Sequence, residues 1–203
     1  MNKTSVRGTR VAQSNTSDLR SILKDLISDG LIAQSDAAEI VTTQRNRNEA
    51  LLHPLEIVAA KQLICGPDKK PLTLELLSEW LAKKACLQLA HIDPLKINVP
   101  AITSIMSFAY AQRYGILCLK VSRDELVIAT MQPFDRSWVE SLEQTSRRTI
   151  QTQVANPAEI KKYTLEFYSL AKSVFGAGSA TDSGTGIANF EQLLEVGKLK
   201  DAD

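Results

Sequence analysis

The residues able to do chemistry fall into four sets: a glycine-rich stretch near the C-terminal end, two histidines, three cysteines and three basic pairs. A phosphate-binding loop needs glycines that let backbone N–H groups converge on a strand-fed turn, followed by a Lys that reaches the terminal phosphates. Residues 176–186 fail that requirement, because Gly178 and Gly184 have no following lysine, Thr185 stands in its place, and no buried strand leads in. Gly197-Lys198 fails it as well, with Gln192 where the first glycine should stand. His53 and His91 have no Ser or Cys nucleophile pattern and no His-Glu-x-x-His beside them. His53, before Pro54, reads as the first residue of a helix, and His91 as a strand residue. The acidic residues stand mostly singly, so no carboxyl pair is set to share a proton. Cys65, Cys86 and Cys118 are odd in number, widely spaced and in apolar surroundings, which suits reduced core thiols and supplies no metal ligand set. The expectation is therefore no catalytic and no metal site.

Arg147-Arg148, Lys161-Lys162 and Lys83-Lys84 offer charge for a basic patch, but without interleaved aromatics they read as solvated faces. Trp80 and Trp138 read as core or interface anchors. Across the 203 residues, Lys and Arg exceed Asp and Glu by one, so no global field draws the chain to nucleic acid or an anionic bilayer. Apolar residues are 44% and charged residues 23%, the balance of a folded chain with room for one domain or two small ones. Apolar runs such as 116–119 and 126–129 are far shorter than the roughly 20 residues of a membrane span. The polar residues 1–17, with Lys3, Arg7 and Arg10, lack the apolar centre of a secretory signal. A cytoplasmic location without membrane insertion is expected.

The elements follow from periodicity and capping chemistry. Leu19, Ile22, Leu23, Leu26 and Ile27 make an amphipathic helix behind Asp18, stopped by Gly30. Ser35 and Asp36 open a second helix with Ala37, Ile40 and Val41, and Pro54 a third with Leu55, Val58 and Ala59, broken at 65–71. Thr73 caps a fourth, whose Leu74, Leu76, Leu77, Trp80 and Leu81 predict a wide buried face. Residues 88–92 read as a short strand. Pro100 starts one helix running to Gly115, with Ile102, Ile105, Met106 and Ala109 inward. Residues 116–121 and 126–130 read as a hairpin, Ser137 and Glu140 as a capping box, and Ile150, Thr152 and Val154 as a strand. Asn156-Pro157-Ala158-Glu159 opens a last helix with Ile160, Tyr163, Thr164, Phe167, Ala171 and Val174 on its apolar stripe.

The fold class is α+β, a helical N-terminal subdomain followed by a small mixed or antiparallel sheet packed by helices. The expected organisation is a leader at 1–17, a mainly helical subdomain at 18–92, an α/β subdomain at 93–175 and a flexible linker at 176–188. Phe190, Leu193, Leu194 and Val196 then begin a further amphipathic segment, 189–203, which implies a domain downstream.

Specific strings then take on a family look. His53-Pro-Leu-Glu-Ile-Val-Ala-Ala-Lys61, the segment 71–83 from Pro71 to Lys83, Ile92-Asp-Pro-Leu-Lys-Ile97, Tyr110-Ala-Gln-Arg-Tyr114, Ile128-Ala-Thr-Met-Gln-Pro-Phe134 and Val154-Ala-Asn-Pro-Ala-Glu-Ile160 resemble the N-terminal region of type II secretion and type IV pilus assembly ATPases. The resemblance spans most of residues 19–175, and 189–200 is similar to the lead-in to the motor of that family. It implies a docking and regulatory region, peripheral to the inner membrane, that binds the cytoplasmic part of a membrane platform protein and is tethered to its own hexameric motor. ATP and magnesium belong to that motor, whose nucleotide-binding boxes have no matching positions here, so the resemblance implies no cofactor in this chain. Some relatives bind cyclic di-GMP through a motif running from Arg-Leu-Gly through Gly-Leu-Ile to Gln. Gly30, Leu31, Ile32 and Gln44 stand at corresponding places, while Ser21 and Leu23 replace the Arg and first Gly, and a second copy around Leu55 to Lys61 is more eroded. The resemblance thus carries two readings, an adaptor and a cyclic di-GMP sensor. The residues alone also leave a free-standing enzyme open.

Overall fold

Helix α1, Leu19–Ser28, buries Leu19, Ile22, Leu23 and Leu26, the stripe its sequence lays down. Its stop is a left-handed glycine motif: Gly30 lies at φ +72°, its N–H donates to the Ile27 carbonyl at 3.0 Å, and the Leu31 N–H donates to the Leu26 carbonyl at 2.9 Å. Asp18 holds the N-cap position, but its side chain makes no capping hydrogen bond. Nothing lies within 4 Å of where a Cβ on Gly30 would sit. Gly30→Ala is therefore expected to lose only the left-handed backbone term, about 1 kcal/mol in urea unfolding.

The computed structural model describes residues 18–42, 52–65 and 70–179. The leader 1–17, Gln44, residues 180–188 of the linker and the segment 189–203 lie outside the described residues.

Helix α2, Gln34–Thr42, begins with the Ala33 N–H donating to Asp36 Oδ2 at 3.2 Å. Helix α3, Pro54–Ala60, has a full capping box, in which His53 Nδ1 accepts from the Leu55 N–H and Glu56 accepts from the His53 N–H. A two-residue ribbon, β1 (Ile64–Cys65) with β2 (Lys70–Pro71), fills the break after it. Two residues are too few to show an alternation, so only the break is visible in the sequence. Thr73 then caps helix α4, Leu74–Lys84, by accepting from the Leu76 N–H at 3.3 Å. Leu77 and Leu81 are fully buried, whereas Leu76 is exposed, so the buried face is narrower than its run of apolar residues predicts. α1 to α4 close over a first apolar core drawn from residues 19–82, with Val154 joining from far along the chain.

Residues 88–92 form no strand of their own. A single parallel bridge, Leu89 to Val154, is flanked by the Ala90 N–H on the Val154 carbonyl at 2.7 Å and the Val154 N–H on the Gln88 carbonyl at 2.9 Å. After a 3-10 turn at Pro94–Lys96 come two helices, α5 (Val99–Thr103) and α6 (Phe108–Tyr114), in place of one. Ser107 breaks the run by capping the Tyr110 N–H, and the Tyr168 hydroxyl holds the Met106 carbonyl at 2.7 Å, so Ala109 ends exposed. Gly115, at φ +59°, ends α6.

Strands β3 (Ile116–Val121) and β4 (Glu125–Thr130) pair antiparallel, with an irregularity between Cys118 and Lys120. Strand β5, Thr149–Val154, pairs parallel to β4 after crossing over through helix α7, Val139–Ser146. The sheet order β3-β4-β5 is mixed, and the fold is α+β. The Ser137/Glu140 capping box does not form: Trp138, 1% exposed, takes the N-cap position so that its Nε1 donates to the Asp135 carbonyl at 2.9 Å. Asn156 starts α8, Pro157–Ser179, by accepting from the Ala158 N–H at 3.0 Å. Ile160 and Phe167 join the second core, drawn from residues 90–167, and Thr164 and Ala171 are buried on the same helix. α8 continues three residues past Gly176, because isolated glycines cost a long helix only about 1 kcal/mol each.

Candidate ligand groove and docking surface

A flank of α1 that includes the core residue Leu23 and its neighbour Ile27 meets α2 across a groove of about 410 Å³. Arg20 and Lys24, one turn apart and both exposed, form the α1 wall, and Ala38, Val41 and Thr42 the α2 wall. Two cations above an apolar floor can hold an anionic group while stacking its apolar part. Gly30, Leu31 and Ile32 do not line this groove. Gly30 stops α1, Leu31 packs half-buried against the first core, and Ile32 is 7% exposed within it. Three of the four residues singled out in the sequence thus set the α1–α2 turn and its packing, and Gln44 lies outside the described residues. Arg20 and Lys24 were not singled out, although their spacing of four on a helix was the available signal.

A polar clasp ties the end of α1 to α4. Asp29 Oδ2 accepts from Trp80 Nε1 at 2.8 Å and from Lys84 Nζ at 3.0 Å; Lys84 also lies 3.5 Å from Asp25 and 5.2 Å over the Trp80 ring. The Lys84 hydrogen bond, then that of Trp80, holds the Asp29 carboxyl below its ordinary range, and the Asp29 bond raises Lys84. Trp80 is an anchor between helices, half-buried with its polar edge satisfied.

The helical half and the sheet half meet at α3 and α8. Glu56 serves both, closing the capping box of α3 and accepting from Lys161 Nζ of α8 at 2.5 Å. Beside it His53 is 4% exposed, and its Nε2 meets no partner at hydrogen-bonding geometry. Burial drives its pKa down to about 4; the Glu56 charge and the Met131 backbone oppose that shift, and Lys161 adds to it. With Nδ1 accepting, the neutral ring carries its proton on Nε2.

The other chemistry-bearing residues are dispersed. His91 is exposed, with Nδ1 3.6 Å from Glu75. Cys118 is buried with its thiol pushed up to about 12 by desolvation, Cys86 is exposed at the left-handed end of α4, and the Cys65 side chain lies outside the description. Among the described residues, no group of three or more His, Cys, Asp or Glu can hold a metal ion, and no helix is long and apolar enough to cross a membrane. The basic pairs are spread over separate local contacts: Arg148 Nε donates to the Arg123 carbonyl, Lys162 lies over Tyr163, and Lys83 meets Glu79.

Several large apolar side chains face outward. Leu95 is 95% exposed at its turn, and Leu170 and Val174, one turn apart on α8, are 52% and 55% exposed. Val174, expected on the apolar stripe of α8, is thus turned to solvent.

Residues 85–174 match the MshEN domain family. The chain is 35% identical over 188 residues to the type IV pilus assembly ATPase TfpB of Acinetobacter baylyi, an alignment that takes in 92% of this chain and 32% of the relative. The chain therefore spans about a third of that relative's length. Among solved structures, that of MshE with cdg is similar at TM-score 0.49 and 16% identity, over 72% of this chain and 98% of that one. The N-terminal domain of XpsE is similar at TM-score 0.46 and 12% identity, over 70% and 90% respectively.

Proposed function

The chain belongs to the N-terminal domains of type II secretion and type IV pilus assembly ATPases, and on that premise we propose that it is the docking and regulatory region of such an enzyme. In this reading it binds the cytoplasmic part of an inner-membrane platform protein, sits peripherally at that membrane, and couples the contact to a hexameric motor that hydrolyses ATP. The observation that carries the reading is the outward apolar pair Leu170 and Val174 on α8, the helix whose other face holds the sheet and, through Lys161 and Glu56, the helical half. Exposed apolar side chains on a rigid, doubly anchored helix suit a partner surface.

Calorimetric titration of the chain with the cytoplasmic domain of its cognate platform protein is expected to show saturable association. The double change Leu170→Ser, Val174→Ser is expected to weaken it at least about tenfold. Absence of association would end the docking reading, and undiminished binding by the double variant would remove this face from it.

The α1–α2 groove favours a second reading, a cyclic di-GMP sensor. Arg20 and Lys24 would meet the phosphates, with the groove's apolar floor against the bases. Equilibrium dialysis with labelled cyclic di-GMP separates the readings: binding lost in Arg20→Ala, Lys24→Ala but kept in Gly30→Ala would support the sensor, and no retention by the wild-type chain would dismiss it.

A further inference from the structure

We infer that the cavity between α6 and α8 is the seat of this chain's own residues 190–196, laid in as a short helix with Phe190, Leu193 and Leu194 inward. The cavity measures about 470 Å³. Phe108 and Ala111 of α6, Met131 after β4 and Leu165 of α8 give it apolar walls, and Gln112 and Lys161 supply its polar lining. Phe108 and Leu165 remain 36% and 59% exposed, so the described residues leave an apolar surface here uncovered.

A concave apolar surface with polar flanks suits an amphipathic helix, whose anchors recur at i, i+3 and i+4. Phe190, Leu193 and Leu194 have that spacing, while Glu191, Gln192 and Glu195 take the positions between, so the segment has one apolar face. Charge agrees with the pairing: the cavity lining holds one base, Lys161, and no acid, whereas residues 190–196 hold two acids and no base. Chain length agrees too. Helix α8, one wall of the cavity, runs to Ser179, and Leu165 lies about 21 Å back along it. Residues 180–189, outside the described residues, can span up to about 35 Å, enough for the chain to turn back. A tether of this length gives the chain's own segment an effective concentration on the order of millimolar, so in dilute solution it outcompetes the same segment of a second copy. The cavity lies apart from the α1–α2 groove and from Leu170 and Val174, so the inference stands or falls separately from both functional readings.

The test follows amide resonances of the 203-residue chain by NMR. The double change Phe190→Ser, Leu194→Ser is expected to shift Ala111, Gln112, Met131 and Leu165, and Gln192→Ser, on the opposite face of the same turn, to leave them in place. The wild-type positions are expected not to move on dilution. Cavity resonances untouched by the double change, or moved equally by Gln192→Ser, would overturn the seat. Wild-type shifts that change on dilution would overturn it as well, placing the segment of a second copy there. A second measurement leaves the segment's apolar face intact: p-benzoylphenylalanine in place of Phe190 is expected to cross-link, on irradiation, within one chain to Phe108, Met131 or Leu165. Cross-links at Leu170 or Val174, or between chains, would overturn the inference.

Discussion

Gly115→Ala is expected to lower stability by about 2–4 kcal/mol, several times the effect of the same change at Gly30. Both glycines hold positive φ at a helix end, Gly115 at +59° and Gly30 at +72°, so each alanine variant meets the left-handed backbone cost of about 1 kcal/mol. They differ in what an added methyl would meet. At Gly115 a Cβ would lie 2.2 Å from Met131 Cε and 2.8 Å from its Cγ, whereas at Gly30 the space is open. Met131 can swing its terminal methyl aside, but a clash at Cγ moves the whole side chain, and displacing it from the cavity wall adds about 1–3 kcal/mol. Urea unfolding of the two single variants checks this. A Gly115→Ala loss no larger than that of Gly30→Ala would show that Met131 does not press on the glycine.

Acidification should weaken the fold through His53. The ring is neutral when folded down to about pH 4, against an ordinary value of 6.5 once unfolded. Between those two values the unfolded chain binds the extra proton, so stability rises with pH across the window. The contribution is therefore complete above pH 6.5 and is lost progressively as pH falls toward 4. The gap corresponds to about 3 kcal/mol over the whole window, of which about 2 kcal/mol falls between pH 6.5 and 5, before carboxylate titration dominates. Asn at position 53 keeps an N-cap acceptor for α3 without a titrating ring. Unfolding free energies at pH 7 and pH 5 should differ by about 2 kcal/mol more in the wild type than in His53→Asn. Equal pH slopes in the two proteins would mean that His53 is not held neutral by burial. Since His53 sits beside the Glu56–Lys161 contact, the same measurement reports on the junction between the two halves.

Both residues sit where local signals and long-range packing meet, and that is also where the sequence stops being readable. Pro54 and His53 announce the start of α3, but nothing near them tells that the imidazole is buried under Met131 and beside Lys161, 105 residues later than Glu56. Ser107 is a good N-cap residue inside a long apolar pattern, and only the Tyr168 hydroxyl on the Met106 carbonyl makes the break visible. Ser137 and Glu140 have the spacing of a capping box, yet burial of Trp138 takes precedence, because seating an indole outweighs one exposed cap. In the groove, the family motif directs attention to Gly30, Leu31 and Ile32, which shape the α1–α2 turn, while its walls come from Arg20, Lys24 and α2.

By itself the sequence determined where most helices and strands begin and end, since Gly30, Pro54, Thr73, Gly115 and Asn156-Pro157 act through groups within about four residues of themselves. It also determined the α+β class and, through its ordered strings, the family. The tertiary structure alone decided the Leu89 to Val154 bridge that joins the two halves, the partners of Lys84 and Lys161, the open groove of α1 and α2, and the cavity between α6 and α8. The physical reason is range: a cap or a turn is settled by adjacent backbone groups, whereas burial, charge pairing and cavities depend on which distant residues the fold brings within a few ångströms.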